Sequence, residues 1–137
     1  MAETFVVLPY FSVTVPNKTG EGAKLLNALK DAGVSFIGVW AYPVKGKKAQ
    51  FDLAPVDPKA FAKAAKKLKL ECGPKQSVIC WNGEDRLGAM ADAASRLAAA
   101  GIDIRATQAI CSGEGRFGAL IQVAEGDIKK AKKILSA

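Results

Sequence analysis

The chain has 137 residues, half of them hydrophobic and 24% charged, which suits a globular protein with room for one ordinary domain or two very small ones. Its three cysteines are odd in number and form no CxxC, and it has no histidine, so a zinc site would have to be unusual and the cysteines agree with a cytoplasmic chain. No apolar run approaches the roughly 20 residues that span a bilayer, and Met1-Ala2-Glu3-Thr4 lacks the basic start of a signal peptide, so a cytoplasmic location is expected.

In chain order, Phe5 to Leu8 is a short apolar strand and Phe11 to Val15 a second, alternating with period two and rich in β-branched residues. Pro16 stops it, and Asn17 is expected to cap a helix that carries Ala23, Leu26 and Leu29 at amphipathic spacing and ends at Gly33. Val34 to Tyr42 and Ala49 to Leu53 read as strands around a Lys45-Gly46-Lys47 turn. Asp57-Pro58 opens the next helix, which runs to Leu68, with aspartate as cap and proline in the first position. Leu70 to Cys72 is a further short strand. Ser77 to Trp81 is then a strand, Asp85 a cap, Leu87 to Ala100 a helix, Ile102 to Cys111 and Arg116 to Val123 two strands, and Asp127 to Leu135 the last helix.

That order is one pattern written twice. Asn17 and Asp85, Gly20 and Gly88, Gly33 and Gly101, and Ser35 and Asp103 all stand 68 positions apart. In the final helix the offset is 67, where Phe61, Ala64 and Leu68 answer to Ile128, Ala131 and Leu135. Each copy is β-α-β-β-α, and one more strand gives the split-βαβ, ferredoxin-like arrangement. The expected fold is therefore α+β, two βαββαβ modules with antiparallel sheets and helices on one face, dividing as residues 1–72 and 73–137. The first copy can draw its last strand from residues 70–72. The second ends straight after its helix, and residues 5–8 are expected to complete its sheet.

The net charge of +7 invites a nucleic-acid reading. Much of the lysine, however, lies at Lys59, Lys63, Lys66, Lys67 and Lys69 and at Lys129, Lys130, Lys132 and Lys133, interleaved with apolar residues at helical spacing. That is the pattern of solvated outer helix faces. Cys72, Cys80 and Cys111 are expected as small buried hydrophobes, and Trp40 and Trp81 as core or interface residues.

A strand, then (Asn/Asp)-x-x-Gly opening a helix, then Gly-(Val/Ile)-(Ser/Asp)-(Phe/Ile) entering the next strand, resembles the ACT domain, here as a tandem-ACT protein across nearly the whole chain. The resemblance implies a non-catalytic regulatory protein of amino-acid metabolism, with no cofactor. It would bind an amino acid or similar small molecule where two modules pair side by side. It also implies a homodimer, and output through that oligomer or a partner enzyme. The ligand-binding positions it implies are Asn17, Lys18, Thr19, Gly20 and Ser35 in the first copy, and Asp85, Arg86, Leu87, Gly88 and Asp103 in the second. Independently, a helix N-terminus offers unpaired amides and partial positive charge to a carboxylate, and glycine lets the ligand approach the backbone. Two carboxylates, Asp85 and Asp103, repel a ligand carboxylate, so charge alone ranks the first copy ahead. Thr19 and Leu87 stand where the family often has proline.

The same outline hosts RNA-binding modules, and Gly115-Arg116-Phe117-Gly118-Ala119-Leu120 has a passing likeness to their third-strand sequence. Val78 and Leu120 stand where stacking rings are expected. Catalysis has no candidate: there is no histidine, Gly-x-Ser-x-Gly or P-loop, and Cys80 and Cys111 lie in strands away from helix N-termini. A subunit that only pairs with other proteins is the remaining alternative.

Overall fold

The structure, a computed structural model, describes residues 3–137. Its elements in chain order are β1 (Thr4–Pro16), α1 (Glu21–Asp31), β2 (Phe36–Val44), β3 (Lys48–Pro55), α2 (Pro58–Lys67), β4 (Gln76–Glu84), α3 (Ala89–Ala99), β5 (Ala106–Gly113), β6 (Arg116–Gln122) and α4 (Ile128–Ser136), the last preceded by a 3₁₀ turn. The fold is α+β, with the βαββαβ pattern present twice. Two compact units share the described chain: residues 9–76, and residues 3–8 with 77–137.

In the 9–76 unit the strand order is β2-β3-β1, antiparallel throughout, with Phe11 opposite Leu53 and Val44 opposite Lys48. Alternation sends Val13 and Leu53 to one face, where they form a core with Leu25 and Leu29 of α1 and Phe61 and Ala64 of α2. Full burial of each such leucine or phenylalanine stabilises by about 1.5–3 kcal/mol. Asp57 caps α2 as expected, its carboxylate accepting from the amides of Lys59 and Ala60. The place of the closing strand is taken by a single bridge, Val13 to Cys72, flanked by bonds from the Thr14 amide to the Glu71 carbonyl and from the Gly73 amide to the Ser12 carbonyl.

The other unit has the order β1-β4-β6-β5, with Thr4–Leu8 of β1 filling the closing position. Phe5 stacks on Trp81 at 5.2 Å, and both Phe5 and Val7 pack on a core of Ile79, Leu97, Phe117, Ile121, Ile128 and Leu135. The two short strands read from the sequence, Phe5 to Leu8 and Phe11 to Val15, are thus one strand of 13 residues. Pro9, which cannot donate to a ladder, falls where that strand passes from one unit to the other. The strands read from Val34 and Ile102 start later, at Phe36 and Ala106. Val34 and Ile102 instead plug the cores directly after the left-handed turns at Gly33 and Gly101.

The cysteines depart from expectation. Cys72 and Cys111 are exposed and Cys80 is half-buried. Cys72 rides on the one-bridge segment, and Cys111 lies in β5, an edge strand exposed along its whole length. The lysines of α2 and α4 are exposed, as their spacing implied. Trp40 and Trp81 are both buried. No helix among the described residues is long and apolar enough to cross a membrane.

Candidate functional site

Three backbone bonds of the duplicated loops recur at the 68-residue offset. The amide of Asn17 donates to the carbonyl of Lys47 at 2.9 Å, and that of Asp85 to Gly115 at 2.7 Å, tying each loop to the hairpin of its own unit. Glu21 donates to Lys18 as Ala89 does to Arg86, and Lys24 to Gly20 as Asp92 does to Gly88. Gly20 and Gly88 both take left-handed backbone, φ 92° and 79°, which only glycine adopts without strain.

These bonds correct the expected caps. Asn17 and Asp85 cap nothing: the N-caps of α1 and α3 are Gly20 and Gly88, three residues further on, with no capping side chain. The consequence favours binding. With Glu21 and Ala89 bonded to the loop carbonyls, the next two amides of each helix, at Gly22 and Ala23 and at Met90 and Ala91, have no intrahelical acceptor and no capping side chain.

Beside the second loop lies a cavity of about 290 Å³, lined by Asp85, Arg86, Gly88 and Met90 and, from the edge strand, Ile110 and Cys111. Arg86 also pairs with Asp92 at 2.8 Å, an exposed contact of small net energy. Leu87 is fully exposed in the loop. Ranking by charge had put the first copy ahead, and packing separates the copies differently. In the first, the ring of Phe51 lies against α1 so closely that a side chain at Gly22 would meet it at 2.7 Å. The matching residues of the second are Ala119 and Met90, a small side chain and a flexible one.

Ser35 and Asp103 do not join their loops. The amide of Val56 bonds the Ser35 carbonyl, and Ser35 adjoins the Phe36–Pro55 end of its ladder, whereas Asn17 adjoins the Pro16–Lys48 end. Seven residues of β3 separate those ends, about 23 Å of strand. Asp103 is placed likewise, two residues before Arg105, whose amide bonds Gln122, while Asp85 bonds Gly115. Met90, Ile110 and Cys111 were missed in the sequence. The signal for them was available: the Gly113-Glu114-Gly115 turn folds β5 back beside the loop, and an uncharged strand with an exposed isoleucine is unusual at a sheet edge.

The first unit carries a polar cluster with no counterpart in the second. Asp52, fully buried, accepts from Ser12 Oγ and Tyr42 Oη, each at 2.6 Å, and from Gln50 Nε2 at 3.0 Å. Gln76 Nε2 donates to Ser12 Oγ at 3.0 Å, and Tyr10 Oη to Gln76 Oε1 at 3.1 Å. Burial first, then the bond and charge of Asp52, hold the Tyr42 phenol well above its ordinary pKa. Burial likewise raises the thiols of Cys72 and Cys80, which leaves them less reactive. Among the described residues no group of histidine, cysteine or acidic side chains could hold a metal ion. In the RNA-like stretch, the ring of Phe117 is buried edge-on against Trp81 at 4.7 Å, unavailable for stacking on a base.

The chain matches no protein-family model and no curated protein sequence. Solved structures do match it in shape. A protein of Bacteroides thetaiotaomicron is 17% identical with a TM-score of 0.82, over 96% of this chain and 88% of that one. The ligand-free regulatory subunit of aspartate kinase from Thermus thermophilus is 14% identical with a TM-score of 0.64, over 98% and 94%. The regulatory subunit of aspartate kinase from Thermus flavus is 15% identical with a TM-score of 0.62, over 99% and 95%. What this chain shares with the aspartate kinase regulatory subunits is an ACT-like fold.

Proposed function

We propose that this chain is a tandem ACT protein that binds an amino acid, does no chemistry on it, and acts through a dimer or a partner enzyme. The observation that carries the reading is the cavity beside the second loop, where uncapped first-turn amides of α3 meet Asp85 and Arg86. A ligand carboxylate at the helix N-terminus gains hydrogen bonds and the favourable end of the helix dipole. Asp85 then suits the ammonium group, and Ile110 and Met90 suit an apolar side chain. Asn17, Lys18, Thr19 and Gly20 form the matching set in the first unit, where Phe51 narrows the space.

Side-by-side pairing gives Ser35 and Asp103 a place. When two edge strands pair antiparallel about a two-fold axis, the start of one lies beside the end of the other. Asp103 of one copy then approaches the loop of its neighbour, which it cannot reach in its own unit. The edge strand β5, Ala-Thr-Gln-Ala-Ile-Cys-Ser-Gly, carries no charge or proline to discourage such pairing.

A thermal-shift screen of the twenty amino acids tests the reading. At 100 times its Kd, a ligand adds about 2.7 kcal/mol of stability. Loss of the shift in Asp85→Ala but not in Asn17→Ala places the ligand at the second loop, and the opposite pattern at the first. No shift from any amino acid at millimolar concentration overturns the amino-acid reading.

A further inference from the structure

The 9–76 unit has a second concavity, remote from the helix N-termini, with a distinct chemical character. A groove of about 320 Å³ runs between the end of α2 and the segment that follows it. Phe11, Phe61, Ala62 and Leu70 give it apolar walls, and Lys66 and Lys75 are its only charged lining residues. Its origin lies in the closing strand. In the other unit Phe5 and Val7 fill the equivalent position and cover the core. Here the chain supplies one bridge at Cys72, then Gly73 and Pro74, and the ring of Phe11, stacked at 4.8 Å on the fully buried Phe61, is left partly uncovered.

Charge points to the occupant. Residues 9–76 contain 12 lysines and 5 acidic residues, a net +7, while the remainder has 8 basic and 8 acidic residues and a net of zero. The whole excess therefore belongs to the unit with the groove. Neither Lys66 nor Lys75 has an ion-pair partner among the described residues, because Glu71 is engaged with Lys48 at 3.1 Å and Asp57 caps α2. The volume falls at the small end of ligand pockets, which span about 300–1,000 Å³. We propose that this groove binds a small organic anion with an aromatic or branched apolar body, the body lying over Phe11 and Leu70 and the acid group between Lys66 and Lys75.

The probe is 8-anilino-1-naphthalenesulfonate, with neutral N-phenyl-1-naphthylamine as the uncharged comparison, each titrated into the intact ¹⁵N-labelled chain. Expected is a set of amide shifts concentrated between residues 61 and 75. The sulfonate should bind about tenfold or more tightly than the neutral compound, the scale of one charge-assisted contact. Lys66→Gln with Lys75→Gln, both solvent-exposed positions, should remove that difference while leaving the neutral compound unchanged. Ala62→Trp should fill the groove and weaken both. The proposal is overturned if the shifts cluster elsewhere, if the two compounds bind equally, or if the lysine variant keeps the preference for sulfonate.

Discussion

Asp52 is the one fully buried carboxylate among the described residues, and its three donors define what can replace it. Removing the acceptor leaves the Ser12 and Tyr42 hydroxyls without it, while Gln50 keeps the two hydroxyl oxygens as acceptors, and an unsatisfied buried donor costs about 1–3 kcal/mol. Asp52→Ala should therefore lower the unfolding free energy by about 3 kcal/mol in urea titration. Replacing the set together, as Ser12→Ala, Tyr42→Phe, Gln50→Leu and Asp52→Leu, should cost less per group removed than the single change, because only the half-buried Gln76 amide, which donates to Ser12, then loses its acceptor. The second copy already uses this apolar solution, with Cys80, Ile110 and Leu120 in the places of Ser12, Tyr42 and Asp52. Tyr42 adds a pH signature. Its folded pKa lies above the unfolded value of about 10, so the folded state holds its proton more tightly. Its contribution is complete below that pH and declines as pH rises past it, and Tyr42→Phe should flatten the alkaline limb of the stability curve. A limb unchanged by the substitution would assign the loss to other groups.

Among the elements, β1 shows best what periodicity conveys. The alternation of Phe11 to Val15 and the apolar run of Phe5 to Leu8 were both legible. Their fusion into one strand was not, since Pro9 reads as a break and only the two partnerships make its missing donor tolerable. Helix starts misled for a related reason. Asn17 and Asp85 are good capping residues by type, yet their amides are spent on the hairpins at Lys47 and Gly115, a tertiary bond invisible to local spacing. The glycines three residues on, which the repeat did single out, became the caps. The half-buried ring of Phe5 provides the test of β1's first half. Phe5→Ala should destabilise by about 2 kcal/mol, below the core range for phenylalanine because the ring is only partly covered, and should shift the emission of Trp81, on which it stacks. A change in emission with no loss of stability would make the N-terminal strand an ornament of that unit.

At the scale of the molecule, the composition showed +7, but its confinement to one unit required the boundaries at 8/9, where Pro9 stands, and at 76/77, four residues past the division read from the sequence. The two lysine-rich helices make that division measurable. Locally α2 and α4 look alike, each apolar inside and lysine outside. They differ in surroundings, since α4 belongs to a unit whose acids balance its bases and α2 to one with a large excess of lysine. Like-charge repulsion within a unit weakens as the Debye length falls from about 30 Å at 0.01 M salt to about 3 Å at 1 M. Hydrogen exchange resolves local opening element by element. Amides of Phe61 to Ala65 should therefore gain protection as sodium chloride rises, while those of Ala131 to Leu135 change little. Lys59→Glu with Lys63→Glu should abolish the gain in α2 without touching α4. Equal gains in both helices would mean that salt acts through general burial of apolar surface, and the charge division would then have no energetic weight.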